Sequence, residues 1–300
     1  MTRFIDLSSK SDSTFIQVLA TLLLVIFIYL LAGMGLHTDY LLNGIASASD
    51  NVGVPEYILA LGSNRVFFWL LFPFFLAFIV FLASIKWIHR RPILTIFTKR
   101  DRFDWRRVLL SFILVFFILL ITTCIQIYFS EEIVWNLSWE KFIPLLVISM
   151  VLIPFQTTLE ELLFRGYLMQ GLKARLGSNI YAVLISAICF GLMHFWNPEI
   201  EAIGYHILSY YILIGIFLSC LAVFDNGLEL SIGFHAANNI FAALMVSNDW
   251  QVFQTDALFM DYSKPEFSFN MLLVSTAFLL TLIFIFKRIY GWSPLKEYWT

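Results

Sequence analysis

Apolar positions in this chain come in blocks of about twenty, without the period-two alternation of a half-buried strand. Blocks can be read at residues 14–36, 66–87, 108–128, 142–164, 179–195, 203–223, 230–247 and 267–286. About twenty apolar residues in a helix cross the roughly 30 Å hydrocarbon core of a bilayer. The pattern therefore predicts an all-α, polytopic membrane protein with about eight transmembrane helices. The fifth and seventh blocks are the least oily, and they carry histidines. The longest polar break, 37–64, contains Gly, Ser and Asp and is predicted to hold a short helix at 55–61.

Composition agrees with that reading. The 300 residues are 60% hydrophobic, 18% aromatic and 13% charged, against about 25% charged in a typical soluble domain. Sixteen of the nineteen Lys and Arg residues fall at the N-terminus, between Lys86 and Arg107, between Arg165 and Arg175, or after Lys287. Eight crossings put all four regions on one side, and the positive-inside rule makes that side the cytoplasm, with both termini there. Trp87, Trp105, Trp135, Trp139, Trp196, Trp250 and Trp292 sit at block ends, as an interfacial aromatic belt predicts.

The net charge of −2 gives no footprint for nucleic acid. The basic 86–107 loop is expected to meet anionic headgroups instead. A polar lead of about thirteen residues precedes a block too long for a signal-peptide core, so the first span is expected to be uncleaved. Cys124, Cys189 and Cys220 all lie within blocks, are odd in number and form no CxxC, so they are expected to be buried small hydrophobes. No internal repeat is visible, which weakens a secondary-transporter reading. The chain is expected to be one membrane domain, 1–300, with its chemistry in 142–247 and scaffold helices in 1–130 and 265–300.

Against this oily background a few polar side chains stand out. Glu160, Glu161 and Arg165 lie at the end of the fourth block, His194 at the end of the fifth, and His235 and Asn239 within the seventh. An ionisable group at the bilayer centre costs roughly 2.5–3.5 kcal/mol on insertion scales. Such groups persist mainly when they pair or do chemistry. Gly177 lies seventeen residues after Glu160 and seventeen before His194. If it caps an antiparallel hairpin, the two are level, about 25 Å from the turn at 1.5 Å per residue. His235 and Asn239 are four apart and share a helix face. The implied cavity lies in the cytoplasmic half of the bilayer.

Each element has an ordinary explanation when taken alone. Glu161 and Arg165, four apart, make a structural ion pair. A single histidine packs between helices, and an asparagine is interhelical glue. Glu160 is the carboxylate which that pair does not neutralise, and the joint occurrence at matched depth favours chemistry. A carboxylate in a low-dielectric cavity is a general base for water, with a histidine to hold or relay the proton. A second imidazole and an amide donate to an oxyanion. The alternative is a zinc site built from Glu160, His194 and His235. There is no HExxH, no GxSG with a partner histidine and no GxGD.

The ordered motifs Glu160-Glu161-x-x-x-Arg165, Phe190-x-x-x-His194 and His235-x-x-x-Asn239 resemble those of the CPBP family. This family comprises the CAAX-protease and bacteriocin-processing (Abi) proteins and is related to the Ras-converting CAAX endopeptidase. The resemblance covers roughly 142–247. It implies an α-helical intramembrane protease, often classed with metalloproteases, that cleaves a membrane-anchored or lipidated protein. On that resemblance Glu160 activates water with His194 as partner, His235 and Asn239 form the oxyanion site, and Glu161 and Arg165 give structural support. The metal-free mechanism is preferred because Asn239 suits an oxyanion better than zinc, so no cofactor is expected. The expected partners are a peptide or lipidated substrate and membrane lipids, and the expected location is the plasma (inner) membrane. The competing class is a non-catalytic immunity or scaffold protein using the same polar cluster as a socket.

Overall fold

A computed structural model describes residues 3–10, 14–43 and 53–299. After a short N-terminal 3-10 turn, Phe4–Lys10, the chain forms α1 (Phe15–Leu42), α2 (Val54–Leu61), α3 (Ser63–Trp87) and α4 (Trp105–Phe129). Helix α5 (Trp139–Leu176) follows and then, across a turn capped by Gly177, α6 (Asn179–Met193). Helices α7 (Leu208–Asp225), α8 (Glu229–Leu244) and α9 (Phe269–Tyr290) complete the bundle. Among the described residues, seven helices are long and apolar enough to cross a membrane. The protein is an integral, multi-pass membrane protein.

The seventh predicted span differs from the rest. Helix α8 has 16 residues, about 24 Å at 1.5 Å per residue, too short to span the hydrocarbon alone. It does not need to, because nearly all of it is buried inside the bundle, where its ends meet protein rather than lipid. Its close fit relies on small residues, as expected where lipid removes the hydrophobic force between helices. A Cβ on Gly233 would come within 2.3 Å of the Val108 carbonyl oxygen of α4. Likewise, a Cβ on Gly215 of α7 would lie 2.8 Å from the Ala187 oxygen of α6.

Other expectations shift in detail. Helix α1 runs to Leu42, six residues past the predicted end of its block, so the first part of the 37–64 break is helical. The short helix expected at 55–61 forms at Val54–Leu61. Cys124 is exposed rather than buried, and Cys189 and Cys220 are half-buried. Cys124 lies on the face of α4 that turns away from the bundle. Hydropathy cannot choose between lipid and core for a small apolar residue. The loops after α4 and α8 are joined by a three-stranded sheet that the hydropathy pattern does not reveal. In it β1 (Ile133–Trp135) pairs antiparallel, and β2 (Val246–Ser247) parallel, with the central β3 (Phe259–Asp261).

The opposite, basic end is held by ion pairs. Arg100 bridges Asp225 and Glu229, each at 3.0 Å, and Arg107 also reaches Asp225. The described ends of the chain meet there. Arg3 donates to the Glu297 carbonyl at 2.6 Å, the Phe4 N–H donates to Asn226 at 3.1 Å, and Asn179 donates to the Tyr298 carbonyl at 2.6 Å.

Candidate active site

Helix α5 supplies two adjacent carboxylates at the point where its winding changes. It is α-helical through Glu161, π-helical over Leu162–Leu168, and α-helical again from Met169. Such π segments are rare and occur often at functional sites. The first carboxylate, Glu160, faces a cavity of about 400 Å³. The second, Glu161, is fully buried and turns toward the bundle interior.

Arg165 is fully buried as well, and all three of its nitrogens are engaged. Nη1 donates to Glu161 Oε1 at 3.0 Å, Nη2 to the Gly215 carbonyl at 3.2 Å and Nε to Ser219 Oγ at 3.4 Å. Its guanidinium carbon lies 4.3 Å from the centre of the Phe190 ring. Burying a charge is tolerable only when it is paired and hydrogen-bonded, and this residue satisfies both conditions. The same Glu161 oxygen takes a second bond, from His235 Nδ1 at 2.9 Å. An ion-paired carboxylate accepts, so Nδ1 carries a proton, and in the neutral imidazole Nε2 of His235 keeps its lone pair.

That lone pair faces Glu160: Nε2 lies 3.7 Å from Oε2. Oε2 itself is buried without a hydrogen-bond partner among the described residues. The other oxygen, Oε1, accepts from the side-chain amide of Gln156. Gln156 is held in turn by Asn239, whose Nδ2 donates to Gln156 Oε1 at 3.1 Å, and Asn238 donates to Asn239 Oδ1 at 3.2 Å. A chain of amides thus runs from α8 to α5 and ends on the catalytic candidate.

The sequence reading pairs Glu160 with His194, and both line the cavity; the imidazole of His235 also lies close to Glu160. Helix α6 ends at Met193 and His194 is its cap, which turns the ring toward the cavity wall. There His194 Nδ1 donates to the Phe190 carbonyl at 2.9 Å, and the ring stacks on Tyr211 at 4.1 Å and 15°. A carbonyl only accepts, so Nε2 of His194 is also left as an acceptor. One of the two amide hydrogens of Asn239 holds Gln156, which leaves the other for the oxyanion role expected of it.

Glu160, His194, His235 and Asn239 all line the one cavity, with Gln156, Asn238 and Tyr211. Gln156 was missed in the sequence, although a polar residue one turn before Glu160 on an oily helix was a usable signal. The cavity begins near the basic end, since His235 is six residues into α8, about 9 Å by rise. It extends toward the other end, where Asn197, Glu199 and residues 251–253 close it.

Glu199 is 8% exposed. Its Oε1 accepts the Val252 N–H at 3.1 Å, and its Oε2 has no partner among the described residues. Burial raises its carboxyl above the ordinary 4.5, although the bond from Val252 pulls the other way. Among the described residues, no group of three or more His, Cys, Asp or Glu side chains is placed to hold a metal.

Residues 138–241 match the family described as Type II CAAX prenyl endopeptidase Rce1-like. The matched segment contains Glu160, Glu161, Arg165, His194, His235 and Asn239, and the family that it resembles is one of endopeptidases. An uncharacterized protein of Bacillus subtilis (strain 168), YyaK, is 29% identical over 172 residues, 57% of this chain and 58% of that protein. The chain thus spans less than two thirds of that relative's length. No solved structure matches. Outside the Rce1-like segment, the cavity wall is completed by Tyr29 of α1, by Leu70, Leu71 and Phe74 of α3, and by residues 251–253.

Proposed function

We propose that the protein is an intramembrane endopeptidase that hydrolyses a peptide bond of a membrane-anchored or lipidated chain within this cavity. The observation that carries the reading is the buried, unpartnered Oε2 of Glu160 facing an imidazole whose other nitrogen is fixed by an ion-paired carboxylate. A structural glutamate has no use for that arrangement. A general base does, because a proton-abstracting group needs an unengaged oxygen and a low-dielectric setting.

In the proposed reaction a water bound between Glu160 and His235 attacks the carbonyl carbon, and its proton passes to Glu160 Oε2. Glu161 orients His235 so that Nε2 accepts from the same water. The second amide hydrogen of Asn239 donates to the developing oxyanion, and Gln156 keeps the Glu160 carboxylate in register. When the tetrahedral intermediate collapses, the proton held by Glu160 goes to the departing amine nitrogen as the C–N bond breaks. No step runs through a metal. With the basic end in the cytoplasm, the carboxylate sits in the cytoplasmic half of the bilayer and the cavity reaches outward from it.

The test is a quantitative comparison of membrane peptides from cells carrying wild-type protein or Glu160→Gln. General-base catalysis contributes roughly 10²–10⁴, so the variant is expected to accumulate uncut substrates while inserting and folding normally. A Glu160→Gln protein with wild-type turnover refutes the mechanism. An unchanged peptide inventory in both strains favours the socket reading instead.

A further inference from the structure

A second cavity, of about 420 Å³, lies between the basic-end half of α1 and the matching half of α5. Its long wall is apolar, with Leu22 and Val25 on one side and Leu163 and Leu168 on the other. At one end stand His89, Arg91, Tyr167 and Arg175, and among the described residues no Asp or Glu lines it. The shape is that of a tail slot with a cationic head.

Arg91 makes the head unusual. It is 8% exposed. Nε donates to Thr95 Oγ1 at 2.7 Å, and Nη2 donates to the Thr95 carbonyl at 3.0 Å and to Gln170 Oε1 at 2.5 Å. All of these acceptors are neutral. Arg65, Arg100, Arg107 and Arg165 each contact a carboxylate, whereas no Asp or Glu among the described residues pairs with Arg91. Burial pushes its guanidinium down to about 10, the cost of a cation taken out of water without a counter-charge. An anion would supply the counter-charge, and the apolar groove beside it suits one that carries hydrocarbon. Arg91 follows the exposed Trp87 by four residues, so it stands where headgroup phosphates lie.

We propose that this cavity binds one anionic phospholipid of the bilayer, its phosphate on Arg91 and Arg175 and an acyl chain in the slot between α1 and α5. Met193 lines both this slot and the catalytic cavity, so the lipid tail abuts the wall behind His194. The site does not rest on the proteolytic reading. It stands or falls on binding alone.

The experiment is native mass spectrometry of the full chain released from nanodiscs of equal parts phosphatidylglycerol and phosphatidylcholine. Wild type is expected to retain one phosphatidylglycerol in preference to phosphatidylcholine by about tenfold or more, as charge-assisted hydrogen bonds to phosphate allow. Arg91→Gln is expected to lose that preference, and Arg175→Gln, an exposed change that spares the fold, to weaken it several-fold. Leu22→Trp, which fills the slot and leaves both arginines, is expected to abolish retention of either lipid. Glu160→Gln is expected to bind like wild type, which separates this site from catalysis. Equal retention of the two lipids by wild type overturns the proposal. So does an Arg175→Gln protein with undiminished preference, or displacement of the lipid by a farnesylated peptide that Arg91→Gln binds equally well.

Discussion

Arg165 offers the most informative single perturbation, because it separates holding the site together from doing its chemistry. Arg165→Met keeps most of the side chain's length and removes its charge. Glu161 Oε1 then loses the 3.0 Å bond from Nη1, and the carbonyl of Gly215 and the hydroxyl of Ser219 lose their donors. Glu161, with no exposed surface, is left as a buried carboxylate supported only by His235. Removing one partner of a buried pair costs about 3–5 kcal/mol. At about 1.4 kcal/mol per factor of ten, this shifts the folding equilibrium between about a hundredfold and several thousandfold.

Neutralising both partners should cost less than the sum of the singles, since the stranded charge is gone. Contacting residues typically couple by about 0.5–3 kcal/mol. Reversible unfolding in mixed micelles of wild type, Arg165→Met, Glu161→Gln and the double variant measures all four corners. The reasoning is refuted if Arg165→Met unfolds within about 0.5 kcal/mol of wild type, the usual range for surface changes, or if the two singles simply add. Glu160→Gln in the same assay should sit close to wild type, because Glu160 Oε2 has no hydrogen bond to lose.

Three further outcomes follow from the same contacts. Gln156→Leu removes the donor to Glu160 Oε1 and strands an amide hydrogen of Asn239; turnover should fall while the KM for a cleaved peptide changes little, and a pure KM effect would contradict a role in holding the base. Gly215→Ala places a methyl 2.8 Å from the Ala187 oxygen, so α6 and α7 must part, and overpacking should cost about 1–3 kcal/mol in mixed-micelle unfolding. Glu199 has a folded-state carboxyl raised by burial, so its ionised form opposes folding, and the loss sets in as pH rises past the ordinary 4.5. Glu199→Gln, which keeps an acceptor for the Val252 N–H, should therefore raise the melting temperature relative to wild type at pH 7 and leave it little changed at pH 4.

Much of the architecture is written in the order of residues. Twenty-residue apolar blocks need no tertiary information to predict helices, because lipid leaves backbone groups no partner except their own chain. The i, i+4 pairing of Glu161 with Arg165 is equally local, since helical spacing alone puts them together. The sequence also singled out the polar residues of the site, because an ionisable group in an oily segment is conspicuous before anything is folded.

What one chain segment offers another was decided only by packing. Level counts from a turn suggested His194 for Glu160, but those counts fix height and not azimuth. Packing also brings His235 within 3.7 Å of the carboxylate, which no count from a turn foretells. Whether Asn239 is free to donate depended on Gln156, which lies eighty-three residues away in sequence. Likewise, α8 reads as one more span by hydropathy, yet its surroundings make it the buried centre of the bundle. Depth and periodicity are properties of a single helix and can be read from it, whereas rotation about the axis is set by the neighbours that a side chain meets.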